Sequence, residues 1–288
     1  MTDYGHDIEF GTFITPLNSP PEQPVLLARY AEELGFEFAT FQDHPYQPRF
    51  HDTWTLMSWV AAQTSRIRVL GNVHNLPLRQ PAVLARSIAS LDLLSGGRVE
   101  LGIGAGGFWD AIEAMGGQRL TAPESVTALS QALDVIRGIW DAGNTERLVA
   151  GGEFHHVDGA KRGPRPAHDV SIFVGAYKPR MLRLIGTQAD GWLPSLGYLQ
   201  PADLAEASGI IDEAAEKAGR DPRAIRRLLN IGQLPGATAE QVEFLTTLAL
   251  EAGTSLFIVP GDDPDAMARF AGEVAPAVRA AVADARGA

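Results

Sequence analysis

The chain has 288 residues, room for one large domain or two small ones, and a formal net charge of −11. That charge argues against a nucleic-acid surface and gives no support to binding at an anionic membrane. With 45% hydrophobic residues, 20% charged residues and no cysteine, the composition suits a soluble protein with a sizeable core and excludes disulfide and thiolate chemistry.

The opening residues, MTDYGHDIEF, hold no basic region followed by an apolar run, and no stretch approaches the ~18 consecutive apolar residues of a membrane span. The expectation is a cytoplasmic globule. A first strand is predicted over Ile8 to Thr15, then a helix from about Glu22 to Leu34 that Gly35 ends. A second strand, Phe36 to Gln42, runs into Asp43-His44, with a helix near Asp52 to Thr64 behind it. The third strand, Arg66 to Val73, ends in the polar corner Gly71-Asn72-Val73-His74-Asn75. Its helix opens at Pro81, which suits a first turn, and closes at Gly96-Gly97. Strand four, Arg98 to Ile103, runs into Gly102-Ile103-Gly104-Ala105-Gly106-Gly107, and a long helix follows from Pro123 to Trp140.

Asp141 to Asp169 is irregular, with a small hairpin around Gly152 to Gly159. Strand five, Val170 to Gly175, precedes a helix from Pro179 to Gln188. Strand six, Gly191 to Pro194, precedes one near Ala202 to Ala218. Strand seven, Arg226 to Gln233, is paired with a helix from Glu240 to Ala252. Strand eight, Ser255 to Val259, and helices from Pro264 onward complete the series.

Eight strands, each followed by a helix, suit a single α/β domain over residues 1–288: a (β/α)8 barrel with a hairpin insertion between strands four and five. An open doubly wound sheet has the same alternation, but a count of eight favours closure. In a barrel the ligand site lies at the carboxyl ends of the strands. That face should collect Thr15, Gln42, Asp43 and His44 from the first two units, and Asn72, Val73 and His74 from the third. Gly104, Ala105 and Gly106 come from the fourth, and Ala176, Tyr177, Lys178, Ser195 and Gln233 from the later ones. The opposite face is expected to offer nothing comparable.

Gly102-x-Gly104-x-x-Gly107 has the form of a dinucleotide fingerprint. It falls in the fourth unit, however, and no acidic residue ends a second strand about 20 residues on. The corner is read instead as a place where amides meet some other phosphate, with tight strand-to-loop packing as the plainer alternative. Val174-Gly175-Ala176-Tyr177-Lys178-Pro179 sets a turn before a helix, where free N–H groups attract anions and Lys178 and Arg180 add positive charge. The two turns could form a two-sided phosphate cradle. An ordinary strand-to-helix joint is the alternative for the second.

Asp43-His44 pairs a carboxylate with an imidazole that can exchange a proton near neutral pH. A satisfied structural histidine is the alternative reading. His155 and His156 point to opposite faces of a strand, so no metal site is expected there. Trp54 and Trp109 are candidate pocket walls, Trp109 being placed to cover a bound ring, while Trp59 is assigned to the core. Ser195 has no Gly-x-Ser-x-Gly elbow, so a nucleophilic triad is not expected.

The chain resembles the luciferase-like monooxygenase superfamily, in its branch that uses the deazaflavin coenzyme F420. The likeness is carried by Asp43-His44, by Pro77-Leu78-Arg79-Gln80-Pro81, by Leu94-Ser95-Gly96-Gly97-Arg98-Val99 and by the Gly102 to Gly106 corner. Gly175-Ala176-Tyr177-Lys178-Pro179-Arg180, Ala189-Asp190-Gly191-Trp192 and the closing Phe270 to Arg279 segment add to it. The resemblance implies a barrel that holds the coenzyme ring at the strand ends. It also implies a non-proline cis peptide, placed here at Asn72-Val73, forming a bulge behind the ring that favours its bent, reduced form.

By the same resemblance the coenzyme phosphate would lie against the amides of Ala105, Gly106 and Gly107 and of Gly175, Ala176, Tyr177 and Lys178. Asp43 and His44 would border the ring, with His44 handling a substrate proton. The substrate pocket is expected at Thr15, Trp54, His74, Trp109 and Ser195. The implied activity is hydride transfer between the deazaflavin and a small organic substrate, in a homodimer. A reduced-flavin monooxygenase using FMN and a non-catalytic flavin-binding protein are the alternatives. Sugar-phosphate dehydrogenases of this branch carry a glutamate after the glycine corner. Phe108-Trp109 stands there instead, with Asp110 just beyond, which favours a more apolar substrate.

Overall fold

Short apolar runs alternate with amphipathic stretches, and each run becomes a buried strand backed by a helix. The structure, a computed structural model, describes residues 3–287. In chain order the elements are β1 (Glu9–Phe13), α1 (Gln23–Leu34), β2 (Phe38–Phe41), α2 (Thr53–Gln63), β3 (Arg68–Gly71), β4 (His74–Asn75), α3 (Pro81–Ser95) and β5 (Val99–Gly104). Then come α4 (Trp109–Ala114), α5 (Ala122–Trp140), β6 (Leu148–Gly151), β7 (His156–Ala160), β8 (Ile172–Val174), α6 (Pro179–Gln188), β9 (Gly191–Trp192) and α7 (Pro201–Lys217). The series ends with β10 (Arg226–Asn230), α8 (Thr238–Ala252), β11 (Thr254–Pro260), α9 (Pro264–Arg269), a π-helical turn at Phe270–Val274 and α10 (Ala275–Gly287).

Strands β1, β2, β3, β5, β8, β9, β10 and β11 pair in parallel, and the pairing of β3 with β5 closes them into a barrel. Strand β4 is a two-residue extension that re-joins β5 beyond a break at Asn72 and Val73. The expected hairpin is β6–β7, set between α5 and β8. Helix α4 was not expected from the sequence; it is six residues long and follows directly on the glycine corner.

Two apolar layers hold the barrel. Between strands and helices lies the larger core, in which Phe10 packs on Phe257 and edge-on to Phe270. Inside the barrel, Phe38, Leu70, Phe173, Leu228, Leu256 and Ile258 fill the lumen, so the centre is packed and ligand chemistry is confined to the mouth.

Two expectations are corrected here. Trp59 is not in the core: it is 62% exposed on the outer side of α2, because its neighbours Val60 and Met57 take the inward positions. The amino-terminal face also carries polar structure. Asp92 and Glu100, both buried, bracket His168, at 3.0 and 3.3 Å from its two ring nitrogens. Asp92 also accepts from the amides of Val99 and Ala167. Arg98 adds bonds to the Ala61, Thr64 and Ile67 carbonyls, tying α2 to β5. These contacts staple the bottom of the barrel and leave the top to the site.

Candidate active site

A cleft opens at the carboxyl ends of the strands, and its floor begins where β3 stops. The Asn72–Val73 peptide is cis, at the position the family resemblance implies. Val73 enters the cleft and packs against two glycines. A Cβ on Gly104 would lie 2.7 Å from Val73 Cγ2, and one on Gly175 would lie 3.3 Å from Val73 Cγ1. Gly71 is needed for a similar reason, since its Cβ would lie 2.5 Å from Nε2 of His74. The glycines at these strand ends therefore make room for one valine and one buried histidine.

Beside this floor, Asn72 and Asn230 exchange amide hydrogen bonds of 2.6 and 3.0 Å from opposite sides of the barrel mouth. Asn72 also donates to Thr40, and Asn230 to the Ser195 hydroxyl. Ser195 is thus held in a polar chain and lines the cleft.

Asp43 is 1% exposed. Arg79 donates to it twice, at 2.7 and 3.0 Å, and the Asn75 amide donates at 2.9 Å. Burial alone would raise this carboxyl; His74 and, at the shorter distances, Arg79 hold it well below the usual carboxylate range. His74 Nδ1 stands 3.6 Å from Asp43, beyond hydrogen-bond length. Asp43 is therefore a fixed anion engaged from behind, and its bonds run to Arg79 and Asn75, not to His44.

His44 is half-buried, lines the cleft and has no ring hydrogen bond to a described residue. Burial lowers its pKa, against a smaller upward pull from Asp43, so the ring is neutral at pH 7 with a nitrogen free to accept a proton.

The glycine corner and the strand-to-helix turn stand on the same cleft, which takes in Gly104, Ala105, Gly106, Gly107, Gly175 and Tyr177. Among the described residues no partner is found for the amides of Ala105, Gly106 and Gly107, or of Ala176, Tyr177 and Lys178. Gly175 differs, since its amide is used on the Ile103 carbonyl. The second turn is pinned from below by Trp192 Nε1, which donates to the Ala176 carbonyl at 2.9 Å. Ala176 itself is buried and Lys178 is exposed, so these two offer backbone and rim charge rather than cleft wall.

The side walls are aromatic. His44 stacks on Tyr46 with ring centroids 5.2 Å apart, and Phe108 meets His44 edge-on at 5.2 Å. Across the cleft, Tyr177 and Tyr198 lie 5.2 Å apart. Tyr46, Phe108, Tyr198, Asn230 and the supporting Arg79 were not among the residues expected from sequence. Trp109 is displaced from its expected role: it opens α4 and folds back so that its ring fills the space beside Gly106, leaving Phe108 on the cleft. Trp54 lies behind the wall, its ring 6.1 Å from that of His74, and lines a separate groove between α2 and α3. Thr15 bonds to Asp262 at the barrel rim, and Gln233 is exposed. His74 keeps its expected place on the cleft.

A closed parallel barrel with a cleft at the carboxyl ends of its strands makes the chain a (β/α)8 protein. Within that class the chain belongs to the luciferase-like monooxygenase family, whose model matches residues 8–283. It is an oxidoreductase family by that description. Among curated relatives, a 5,10-methylenetetrahydromethanopterin reductase of Methanolobus tindarius is 35% identical over 209 residues, 71% of this chain and 60% of the reductase, so the match leaves much of that protein uncovered. An F420-dependent glucose-6-phosphate dehydrogenase of Microbacterium testaceum is 30% identical over 262 residues, 87% of this chain and 75% of the relative. In fold, an F420-dependent secondary alcohol dehydrogenase superposes with a TM-score of 0.85 at 18% identity, over 95% of this chain and 99% of that one. No helix among the described residues is long and apolar enough to cross a membrane.

Proposed function

We propose that the protein is an F420-dependent oxidoreductase that moves a hydride between the deazaflavin and a small organic substrate. The observation that carries this reading is a pair of turns with unpartnered amides, Ala105 to Gly107 and Ala176 to Lys178, from which Ala105, Gly106, Gly107 and Tyr177 line one cleft with Val73. Unpaired N–H groups in two turns beside one cleft suit a phosphate, and the apolar Val73 side chain suits the face of a ring. Curated relatives named for F420 support the choice of coenzyme.

When bound, the coenzyme supplies the hydride chemistry; the chain supplies everything around it. Gly104 and Gly175 let Val73 rise into the cleft as a platform. Asp43, locked by Arg79 and the Asn75 amide, fixes the start of the loop that presents His44. His44, neutral and free at its ring nitrogens, accepts the substrate hydroxyl proton on oxidation and returns it on reduction. The aromatic walls exclude water from the reacting centre.

The test is a fluorescence titration of the purified protein with F420 and, separately, with FMN. Micromolar or tighter binding of F420 alone is expected. Preference for FMN would move the protein to the reduced-flavin monooxygenases, and binding of neither would remove the site. A homodimer accompanies this proposal on the family resemblance alone, and sedimentation of the purified protein checks the subunit count.

A further inference from the structure

The substrate side of the cleft differs in chemistry from the coenzyme side. Among the described residues no lysine or arginine side chain lines the cleft, and the one carboxylate that does, Asp43, is already paired with Arg79 behind it. The chain as a whole is at −11. Inside the cleft, a substrate bearing its own phosphate or carboxylate finds no side-chain counter-charge; Lys178 is exposed at the rim of the turn that the coenzyme reading already uses. What the wall does offer is aromatic area. Phe108 is 55% exposed and Tyr198 71% exposed, on opposite sides of the opening, although both are large apolar-faced rings. Covering them takes a ligand with an apolar body.

One polar group in this wall is unused. Tyr46 lines the cleft between His44 and Phe108, yet its hydroxyl is buried with no hydrogen-bond partner among the described residues. Buried hydroxyls nearly always find a partner, so one left unpaired on a ligand cleft marks where a ligand atom belongs. Burial, with a further push from Asp43, raises this phenol to about 12, so it keeps its proton and is available as a donor. His44 beside it is neutral and can accept. A donor and an acceptor side by side in an aromatic wall are the complement of a carbonyl and the alcohol it becomes.

We infer that the substrate is an uncharged carbonyl compound, or the matching alcohol, on an apolar ring or branched body, and that Tyr46 determines this specificity by donating to the substrate oxygen while Phe108 packs on the body. This deepens the oxidoreductase reading and rests on it for the reaction, though not for the binding.

The test is binding to the intact protein, with and without saturating F420, using four probes: cyclohexanone, methylenecyclohexane, cyclohexanecarboxylate and glucose 6-phosphate. Cyclohexanone is expected to bind at least about tenfold more tightly than either anion. Tyr46→Phe should weaken cyclohexanone about tenfold and leave methylenecyclohexane unchanged, because only the ketone uses the hydroxyl. Phe108→Ala should weaken both by a similar factor. Anions binding as well as the ketone, or an unchanged ketone-to-alkene ratio in Tyr46→Phe, would overturn the inference. F420 titration of the same variants keeps the two readings separate. Retained F420 binding with no ketone preference removes the substrate class alone, and lost F420 binding with an intact ketone preference removes the coenzyme alone.

Discussion

Replacing Arg79 with methionine leaves Asp43 buried without its guanidinium partner, with only the His74 ring at 3.6 Å beside it. In the native chain Arg79 gives Asp43 bonds of 2.7 and 3.0 Å and reaches Asp52 at 2.6 Å, while Asp43 is 1% exposed. Breaking a buried ion pair from one side costs about 3–5 kcal/mol. The Asn75 amide would still hold Asp43 at 2.9 Å, and the Arg79 side chain is itself 19% exposed. Both facts favour the lower end, about 3 kcal/mol.

The sign of the pH dependence follows from the native state. With its folded pKa held far below the ordinary value, Asp43 contributes stability above about pH 4 and loses it only in stronger acid. In Arg79→Met, burial is no longer opposed by the guanidinium and the carboxyl rises. The penalty is then largest at neutral pH and shrinks as the pH falls and the group takes up a proton. Adding Asp43→Asn should recover much of the loss, since an amide needs no counter-charge. Urea unfolding of the wild type, both single variants and the double variant at about pH 7.5 and about pH 5 measures all of this. A cost under about 1 kcal/mol at the higher pH, or one that does not shrink at the lower, would refute the argument.

Three further outcomes are expected. Gly104→Ala places a methyl 2.7 Å from Val73 Cγ2; it should cost about 1–3 kcal/mol in thermal unfolding and weaken F420 at least about tenfold by fluorescence titration. His44→Gln should lower kcat/KM about 10²–10⁴-fold with F420 affinity retained, and native kcat/KM for alcohol oxidation should fall on the acid side through a pKa below about 6.5, because burial lowers that of the required neutral ring. His168 is raised to about 9, chiefly by its bond to Glu100 against the effect of burial, with Asp92 adding to the rise. Its stabilisation is therefore whole below about pH 6.5 and lost as the pH climbs through about 9. With the ring 32% exposed, solvent screening leaves about 1–2 kcal/mol of this, which should appear as a falling urea midpoint over that window in the wild type and be absent in His168→Gln.

The barrel was legible in the sequence because its signals are local. Apolar runs of strand length, Pro81 and Pro179 at helix starts and Gly35 and Gly96 at helix ends all mark positions without knowledge of the partner. Six of the eight expected strand ends overshoot by one to three residues, as at Gln233 against Asn230, because a strand and the extended chain beyond it look alike in one dimension. Those of the fourth and eighth strands fall one residue short of Gly104 and Pro260. The site was legible only where backbone carried it. The glycine corner, the Gly175 turn and the Asn72–Val73 corner all fall on one cleft. Side-chain direction was not legible. Trp109 was expected over a ring, but α4 begins at that residue and turns it onto Gly106, so the smaller Phe108 faces the cleft. Asn230 and Arg79 are distant in sequence from the groups they hold, Asn72 and Asp43, and carry no periodic signal of that contact.

The segments that carry the family resemblance divide the same way, and this bears on how much they say about chemistry. Gln80 caps α3 by accepting from the Val83 amide, and Arg79 holds Asp43. Arg98 sews α2 to β5, and Asp190 accepts from the Ile172 amide and from Arg137. Trp192 ties the Gly175 turn from below. Arg279 donates to the Ile8 carbonyl and to Glu37 at the amino-terminal side of the barrel. Each of these would be needed by any barrel of this construction, whatever coenzyme it holds. They establish the family and leave the coenzyme open. On the proposed reading, discrimination between a deazaflavin and FMN would come from the groups assigned to the ring and its phosphate: Val73, the two amide runs and the His44 loop. Substitutions at Arg98 or Arg279 are accordingly expected to change stability and leave the F420-to-FMN preference unmoved. A change at Val73 large enough to lower the platform, such as Val73→Gly, should alter that preference while the barrel stays folded, and a preference that followed Arg98 instead would break this division between frame and site.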